Sequence, residues 1–383
     1  MAKPILQKKP SICWRLCISA AASLVILIPI LTLADPWLRF SSRIESKGPT
    51  FYDDPETVYT TDKAESEWDE KRDEWLKVHP QFSKSENRVF VITGSQPSPC
   101  SNPSGDHLLL RFFKNKVDYC RIHSYGILYN NAFLQPEMRS YWAKIPVIRA
   151  AMVAHPEAEW LFWVDSDAIF TDMEFAVPLE RYKDHNLVVH GWPDMIYEKK
   201  SWVSLNAGVF LIRNCGWSME FLEAWGGMGP KSPRFKRWGE MQRATLKDKM
   251  FPDSDDQSAL VYLMLKGKRR WRERIYVENE YALHGYWIGI VGRFEELGRR
   301  EGRRRRHAEV DVEVAVKERR PFVTHFTGCQ PCSGEHNPAY EGDSCRVGME
   351  RALNFADNQV LTNYGFVHPD LGNASLVTPL PFY

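Results

Sequence analysis

Five apolar residues, Trp160-Leu161-Phe162-Trp163-Val164, run without a break into Asp165-Ser166-Asp167. A run this short, with no polar alternation, reads as a strand buried on both faces, and such a strand needs helices covering both sides of its sheet. The neighbouring sequence supplies them. Val89-Phe90-Val91-Ile92 ends at Thr93-Gly94-Ser95, Leu128-Tyr129 begins a second strand, and helical stretches fill 108–123 and 141–153. Leu187-Val188-Val189-His190 and Val209-Phe210-Leu211-Ile212 read as further strands. Strands alternating with helices predict an α/β domain with a mainly parallel sheet. Hydrophobic residues make up 44 % of the 383, enough for a large core, and the 14 Trp supply both core volume and faces suited to carbohydrate. A net charge of +1 points to no nucleic acid and no broadly acidic partner.

The N-terminal region predicts a compartment. Residues 16–34 form an uncharged, mostly apolar run, close to the ~20 residues that span a bilayer. Lys3, Lys8, Lys9 and Arg15 precede it, so the positive-inside rule holds residues 1–15 in the cytosol and everything after the span in the lumen. The alternative is a cleaved signal peptide, since Thr32 and Ala34 form a small-x-small site, but the apolar run exceeds the usual ~7–15-residue core of such peptides. Residues 35–87 are polar and read as a stem. Within it Ala64, Trp68, Trp75 and Leu76 recur at helical spacing, predicting a short amphipathic helix that docks on the α/β domain, or alternatively makes a dimer contact. Residues 88–383 form the lumenal domain. Its six cysteines, Cys100, Cys120, Cys215, Cys329, Cys332 and Cys345, suggest disulfides, with 15 full pairings open. Asn373-Ala374-Ser375 is an N-glycosylation sequon. The segment from Arg293 to Arg320 mixes Arg and Glu, reading as a solvated helix or loop, with Val310, Val312, Val314 and Val316 offering an edge strand instead.

Ligands in α/β sheets bind beyond the carboxyl ends of strands. Asp165 and Asp167 sit at such an end, where both can reach one point. A divalent ion held there can neutralise a diphosphate and help it leave. Oxygen ligands with a nitrogen ligand suit Mn²⁺, or Mg²⁺. An Asp-x-Asp pair alone is weak, as Asp311-Val312-Glu313 nearly repeats it.

Several motifs together resemble a specific family. Phe162-Trp163-Val164-Asp165-Ser166-Asp167-Ala168, Leu205-Asn206-Ala207-Gly208 with Val209-Phe210-Leu211-Ile212-Arg213-Asn214, Ser254-Asp255-Asp256-Gln257-Ser258 and Thr324-His325-Phe326-Thr327-Gly328-Cys329 are similar to the plant galactomannan galactosyltransferases and xyloglucan xylosyltransferases, glycosyltransferase family 34. The resemblance spans the whole lumenal domain. It implies a GT-A fold, a single-pass type II anchor in the Golgi membrane, and retaining transfer of an α-linked sugar from a UDP-sugar to a polysaccharide acceptor in hemicellulose synthesis. It leaves room for a homodimer or a heterodimer with other polysaccharide-synthesising transferases.

Carried over residue by residue, Asp165, Asp167 and His325 would hold the metal. Gly94, Lys144, Ser166, Asn206, Gly328 and Gln330 would contact the UDP-sugar, Gln257 and Asp256 would act at the reacting centre, and Asp255 and His284 would meet the acceptor. Each has a plainer reading: a core His325, a solvated Lys144, a turn at Gly94, an N-cap at Asp255 and Asp256. Gln330 departs from the similar xylosyltransferases, which carry a Lys there that resembles a diphosphate contact. Galactomannan-type members share Gln330, the Asn206-Ala207-Gly208 form and the Arg303-to-Glu309 segment. The expectation is therefore galactose transfer from UDP-galactose to O6 of mannosyl residues in a β-mannan. The alternatives are α-xylosyl transfer to a β-glucan and a non-catalytic glycan-binding partner of a synthase assembly.

Overall fold

The computed structural model describes residues 49–83, 88–267, 269–304 and 320–380. The expected membrane span at 16–34, the cytosolic tail and the Val310–316 edge strand lie outside the described residues. Among the described residues no helix is long and apolar enough to cross a membrane. Residues 49–54 belong to a separate small unit, where Phe51–Asp53 makes one 3-10 turn capped by Thr50. Everything from Pro55 onward forms one unit.

Helix α1 (Trp68–Val78) carries Trp68, Trp75 and Leu76 of the expected spacing, while Ala64 lies before it. Trp68 is buried, and its indole donates to Asn214 Oδ1 at 2.7 Å. Arg72 donates to the Pro156 and Ala158 carbonyls, and Asp69 accepts from the Gly216 amide at 2.8 Å. Residues 55–83, read from sequence as stem, thus contribute a helix stapled to the same unit as the sheet.

The main sheet is built from β1 (Val89–Gly94), β2 (Gly126–Asn130), β3 (Trp160–Val164), β5 (Leu187–Gly191), β6 (Leu205–Arg213) and β7 (Ile275–Glu278), in the spatial order β2-β1-β3-β6-β5-β7. β6 alone runs against the others, pairing antiparallel with β3 and β5. The remaining pairings are parallel. All five residues of β3 are buried, as a continuous apolar run requires. Helices α3 (Lys144–Ala154), α4 (Gly216–Gly226) and α6 (Asp256–Lys266) pack together along β3 and β6. Helices α2 (Gly105–His123) and α8 (Ser344–Leu361) pack against each other and against a second, three-stranded sheet.

That second sheet consists of β4 (Ala168–Phe170), β8 (Gly285–Tyr286) and β9 (Val323–His325), ordered β4-β9-β8. β4 pairs antiparallel with β9, matching Ala168 to His325. An aromatic cluster fixes this layer to α2: Tyr119 stacks on Phe170 with ring centroids 3.9 Å apart, and its hydroxyl donates to the Phe175 carbonyl. Two disulfides cross-link the loops beside it. Cys100 bonds Cys332 and Cys329 bonds Cys345, so the Cys329-Gln-Pro-Cys332 pair divides between two partners, while Cys120 and Cys215 stay free thiols. The Arg-rich segment begins as helix α7 (Phe294–Arg304).

Candidate active site

The carboxyl end of β3 delivers Asp165 onto a tight turn, and Asp167 ends that turn before β4. The antiparallel register of β4 with β9 then brings His325 beside them across 158 residues of sequence. His325 Nε2 lies 3.1 Å from Asp167 Oδ1 and 3.9 Å from Asp165 Oδ2. One ligand atom from each of the three lies within 4.8 Å of the others. Two carboxylate oxygens and one imidazole nitrogen form a donor set suited to Mn²⁺ or Mg²⁺. Room for an ion comes from Gly208 on β6. A Cβ there would stand 2.4 Å from His325 Cε1 and 2.5 Å from Asp165 Oδ2.

Neighbouring groups orient the ligands. The Trp163 indole donates to Asp165 Oδ1 at 2.6 Å. His325 Nδ1 lies 3.0 Å from His284 Nδ1, so one proton at most fits between the two rings. If His325 presents a lone pair at Nε2, its Nδ1–H donates to His284. Burial and the neighbouring His325 and His190 rings hold His284 well below the usual histidine range, in the neutral form this needs. Burial pulls His325 down too, but the Asp167 carboxylate outweighs it and holds the ring above its ordinary value.

Lys144 opens α3, where Pro146 is tolerated in the first turn. It is almost fully buried. Its ammonium donates to the Ala207 carbonyl at 2.8 Å and pairs with Asp256 Oδ2 at 2.7 Å and Asp165 Oδ1 at 3.5 Å. Burial opposes its charge, yet the two carboxylates raise its pKa. Asp256 is pushed up to about 6 by burial, against the pull of Lys144. Gln257 follows it. Its amide donates to the Trp202 carbonyl at 3.0 Å, and its Oε1 accepts only a long 3.4 Å bond from the Ala207 amide.

A cavity of about 480 Å³ opens from this cluster toward β1 and β2, lined by Gly94, Gln96, Asn130, Tyr141, Lys144, Trp163, Ser166 and Gln330 along with Asp165 and Asp167. Gly94 is demanded by the parallel neighbour strand, since a Cβ would sit 2.0 Å from the Asn130 carbonyl oxygen. Gly328 adopts φ +83°, a region glycine enters freely, where the chain turns into the disulfide loop. Asn206 heads β6 and caps the Gly208 amide at 2.8 Å.

Two residues expected at the acceptor are engaged by protein. Asp255 caps α6 by accepting from the Ser258 amide at 2.8 Å, and its other oxygen pairs with buried Lys249 at 2.6 Å. His284 stands behind His325. Asn373 is exposed, with its side chain accepting from Ser375.

Sequence reasoning missed Lys116. This lysine of α2 is buried beneath the Asp-Ser-Asp turn and donates to the Ala168 carbonyl at 2.7 Å and more weakly to Ser166 at 3.4 Å. Burial drives its pKa down to about 7, against the attraction of Asp167 and Asp165. The signal was available: Lys116 interrupts an apolar stripe of Leu108, Leu109, Phe112, Tyr119 and Cys120.

Residues 85–336 match the model of the galactosyl transferase GMA12/MNN10 family. "Glycosyltransferase 6" of Arabidopsis thaliana is 58 % identical, the match covering 87 % of this chain and 83 % of that protein. "Galactomannan galactosyltransferase 1" of Cyamopsis tetragonoloba is 59 % identical, covering 87 % and 81 %. "Probable xyloglucan 6-xylosyltransferase 5" of Arabidopsis thaliana is 47 % identical, covering 86 % and 71 %.

Proposed function

The chain belongs to the galactosyl transferase GMA12/MNN10 family of glycosyltransferases, and from that membership we propose that it moves galactose from UDP-galactose to O6 of mannosyl residues in a β-mannan. The observation that carries the reading is the convergence of Asp165, Asp167 and His325 at one end of a large cavity, with Lys144, Asp256 and Gln257 beside them. The similarity to a galactomannan galactosyltransferase supports galactose as the sugar, as does Gln330. Xylosyl transfer to a β-glucan is the second reading, favoured by the xyloglucan relative. In either case the enzyme has a GT-A architecture and works in the Golgi lumen behind an anchor at residues 16–34. Mature protein that begins at Asp35 would overturn the anchored topology.

A divalent cation bound by Asp165, Asp167 and His325 would neutralise the diphosphate of the donor. The chain's own residues do the rest. Asp256 is buried and ion-paired to Lys144, which makes it a holder of sugar hydroxyls rather than a free nucleophile. Gln257 offers a carbonyl dipole to a positive anomeric centre. The acceptor hydroxyl then attacks the anomeric carbon from the leaving-group side as the bond to the UDP phosphate breaks, the departing phosphate takes the hydroxyl proton, and configuration is retained.

The test is a donor and acceptor screen of the purified full chain with Mn²⁺, read by the linkage of the product. Galactose α-linked to O6 of mannan oligosaccharides is expected. Xylose on a β-glucan would establish the second reading, and UDP-sugar binding without hydrolysis or transfer would establish a non-catalytic partner.

A further inference from the structure

The strand ends lay the site out in a line. Moving across the sheet from β2 to β7, the cavity covers the ends of β2, β1 and β3, the metal ligands follow at β3, and Asn206 opens β6. The next strand is β5, and the residue just past its carboxyl end is Trp192. A buried tryptophan there would be core, but this indole is 43 % exposed. It is also firmly placed. Its amide donates to the Ser204 carbonyl at 2.9 Å. Gly191 permits that approach, because a Cβ on it would stand 2.7 Å from the same oxygen.

Trp192 connects to the metal ligands through packed rings. It meets His190 nearly at right angles at 5.1 Å, His190 lies 5.7 Å from His284, and His284 lies 5.0 Å from His325. The contact with His190 is T-shaped, and the indole keeps 43 % of its surface exposed. Beside the Ser204 carbonyl, Val203 is 47 % exposed, and Trp202, whose carbonyl holds Gln257, packs on Phe251, while Asp194 is ion-paired to Lys199 and Asp248 accepts from the Trp202 amide.

We propose that Trp192 is the platform of an acceptor subsite, on which one pyranose of a neutral β-1,4-linked glycan stacks while the next presents its hydroxyl to the centre beside Gln257. The proposal rests on the reading of the site as a glycosyltransferase. The nucleotide-sized cavity occupies the β1–β3 side, so the second substrate must enter past β6 and β5, where this indole stands. A part-exposed indole can complement the axial C–H face of a pyranose.

The experiment titrates full-length wild type, Trp192→Ala and Trp192→Phe with β-1,4-linked mannohexaose and cellohexaose. Binding is read by saturation-transfer NMR and transfer by KM and kcat. Trp192→Ala is expected to raise the acceptor KM and Kd about ten-fold, the scale of losing one aromatic anchor. Trp192→Phe recovers part of that loss, and UDP-sugar hydrolysis without acceptor stays at the wild-type rate. Unchanged oligosaccharide binding in Trp192→Ala would overturn the subsite, as would failure of the wild type to bind either oligosaccharide. Wild type that binds oligosaccharide through Trp192 yet transfers nothing would sink the transferase reading and leave the subsite standing.

Discussion

Gly208 has no side chain because two ligands already occupy its space. A methyl group there meets both His325 Cε1 and Asp165 Oδ2 below 3 Å, so Gly208→Ala should push the ligands apart without altering either. Mn²⁺ affinity measured by calorimetry should fall at least about ten-fold, the scale of disturbing the groups that orient metal ligands, while the unfolding midpoint moves little. Gln257 is a sharper test of chemistry. With its Oε1 held only by a long contact to Ala207, the carbonyl is free to face the sugar. Gln257→Ala should lower kcat by roughly 10²–10³, the loss seen when one preorganised dipole is removed. Gln257→Glu should yield no trapped glycosyl-enzyme when a slow fluorinated UDP-sugar is followed by mass spectrometry. At this scale much was legible. Asp165 and Asp167 announce themselves by ending an apolar strand. Lys144 was ambiguous between solvent and site, because only packing on β6 and α6 decides that its ammonium is buried between two carboxylates.

Helix α2 carries more than core contacts. Lys116 reaches from its apolar stripe to the carbonyls of the Asp-Ser-Asp turn. Lys116→Met keeps the length and loses the donor, leaving buried acceptors without a partner. The expected cost is about 1–3 kcal/mol in denaturant unfolding, together with weaker Mn²⁺ binding as the turn loosens. At the end of strand β5, burial holds His190 neutral, with its pKa down at about 4 against an ordinary 6.5. The unfolded chain therefore takes up a proton on this ring while the folded chain does not, between about pH 6.5 and 4. The stability His190 contributes is complete above that window and is lost as pH falls through it. In chelator, the stability difference between wild type and His190→Asn should shrink from pH 7 to pH 4.5. A difference constant with pH would exclude the buried neutral ring. Elements of strong period were readable: β1, β3, β5 and α6 fall close to their apolar runs. The short strands β4 and β8 were not, since three or two residues carry no period of their own and exist only because β9 lies between them.

At the scale of the whole molecule, the Cys100–Cys332 bridge joins loops 232 residues apart, one following β1 and the other following β9. Gln96 near one end and Pro331 at the other both line the cavity, so the bridge ties its two walls. Cys100→Ser should lower unfolding stability by about 2–4 kcal/mol and weaken UDP binding, both measurable on the purified chain. Cys120→Ser, which breaks no bridge, should leave UDP binding unchanged. Cysteine spacing could not choose these pairings, because spacing along the chain says nothing of which loops meet. The apolar periods and the Asp165-Ser166-Asp167 turn were enough, from the sequence alone, to determine an α/β domain with paired carboxylates at the end of a buried strand. Local physics suffices for that: burial dictates period, and a carboxylate after a buried strand has only the sheet edge to occupy. Tertiary structure alone decided that β6 runs against its neighbours, that His284 stands behind His325, and that Asp255 serves Lys249 as well as its own helix. Each depends on which residues distant in sequence come to share a boundary, and that is set by the packing of whole layers rather than by any local pattern.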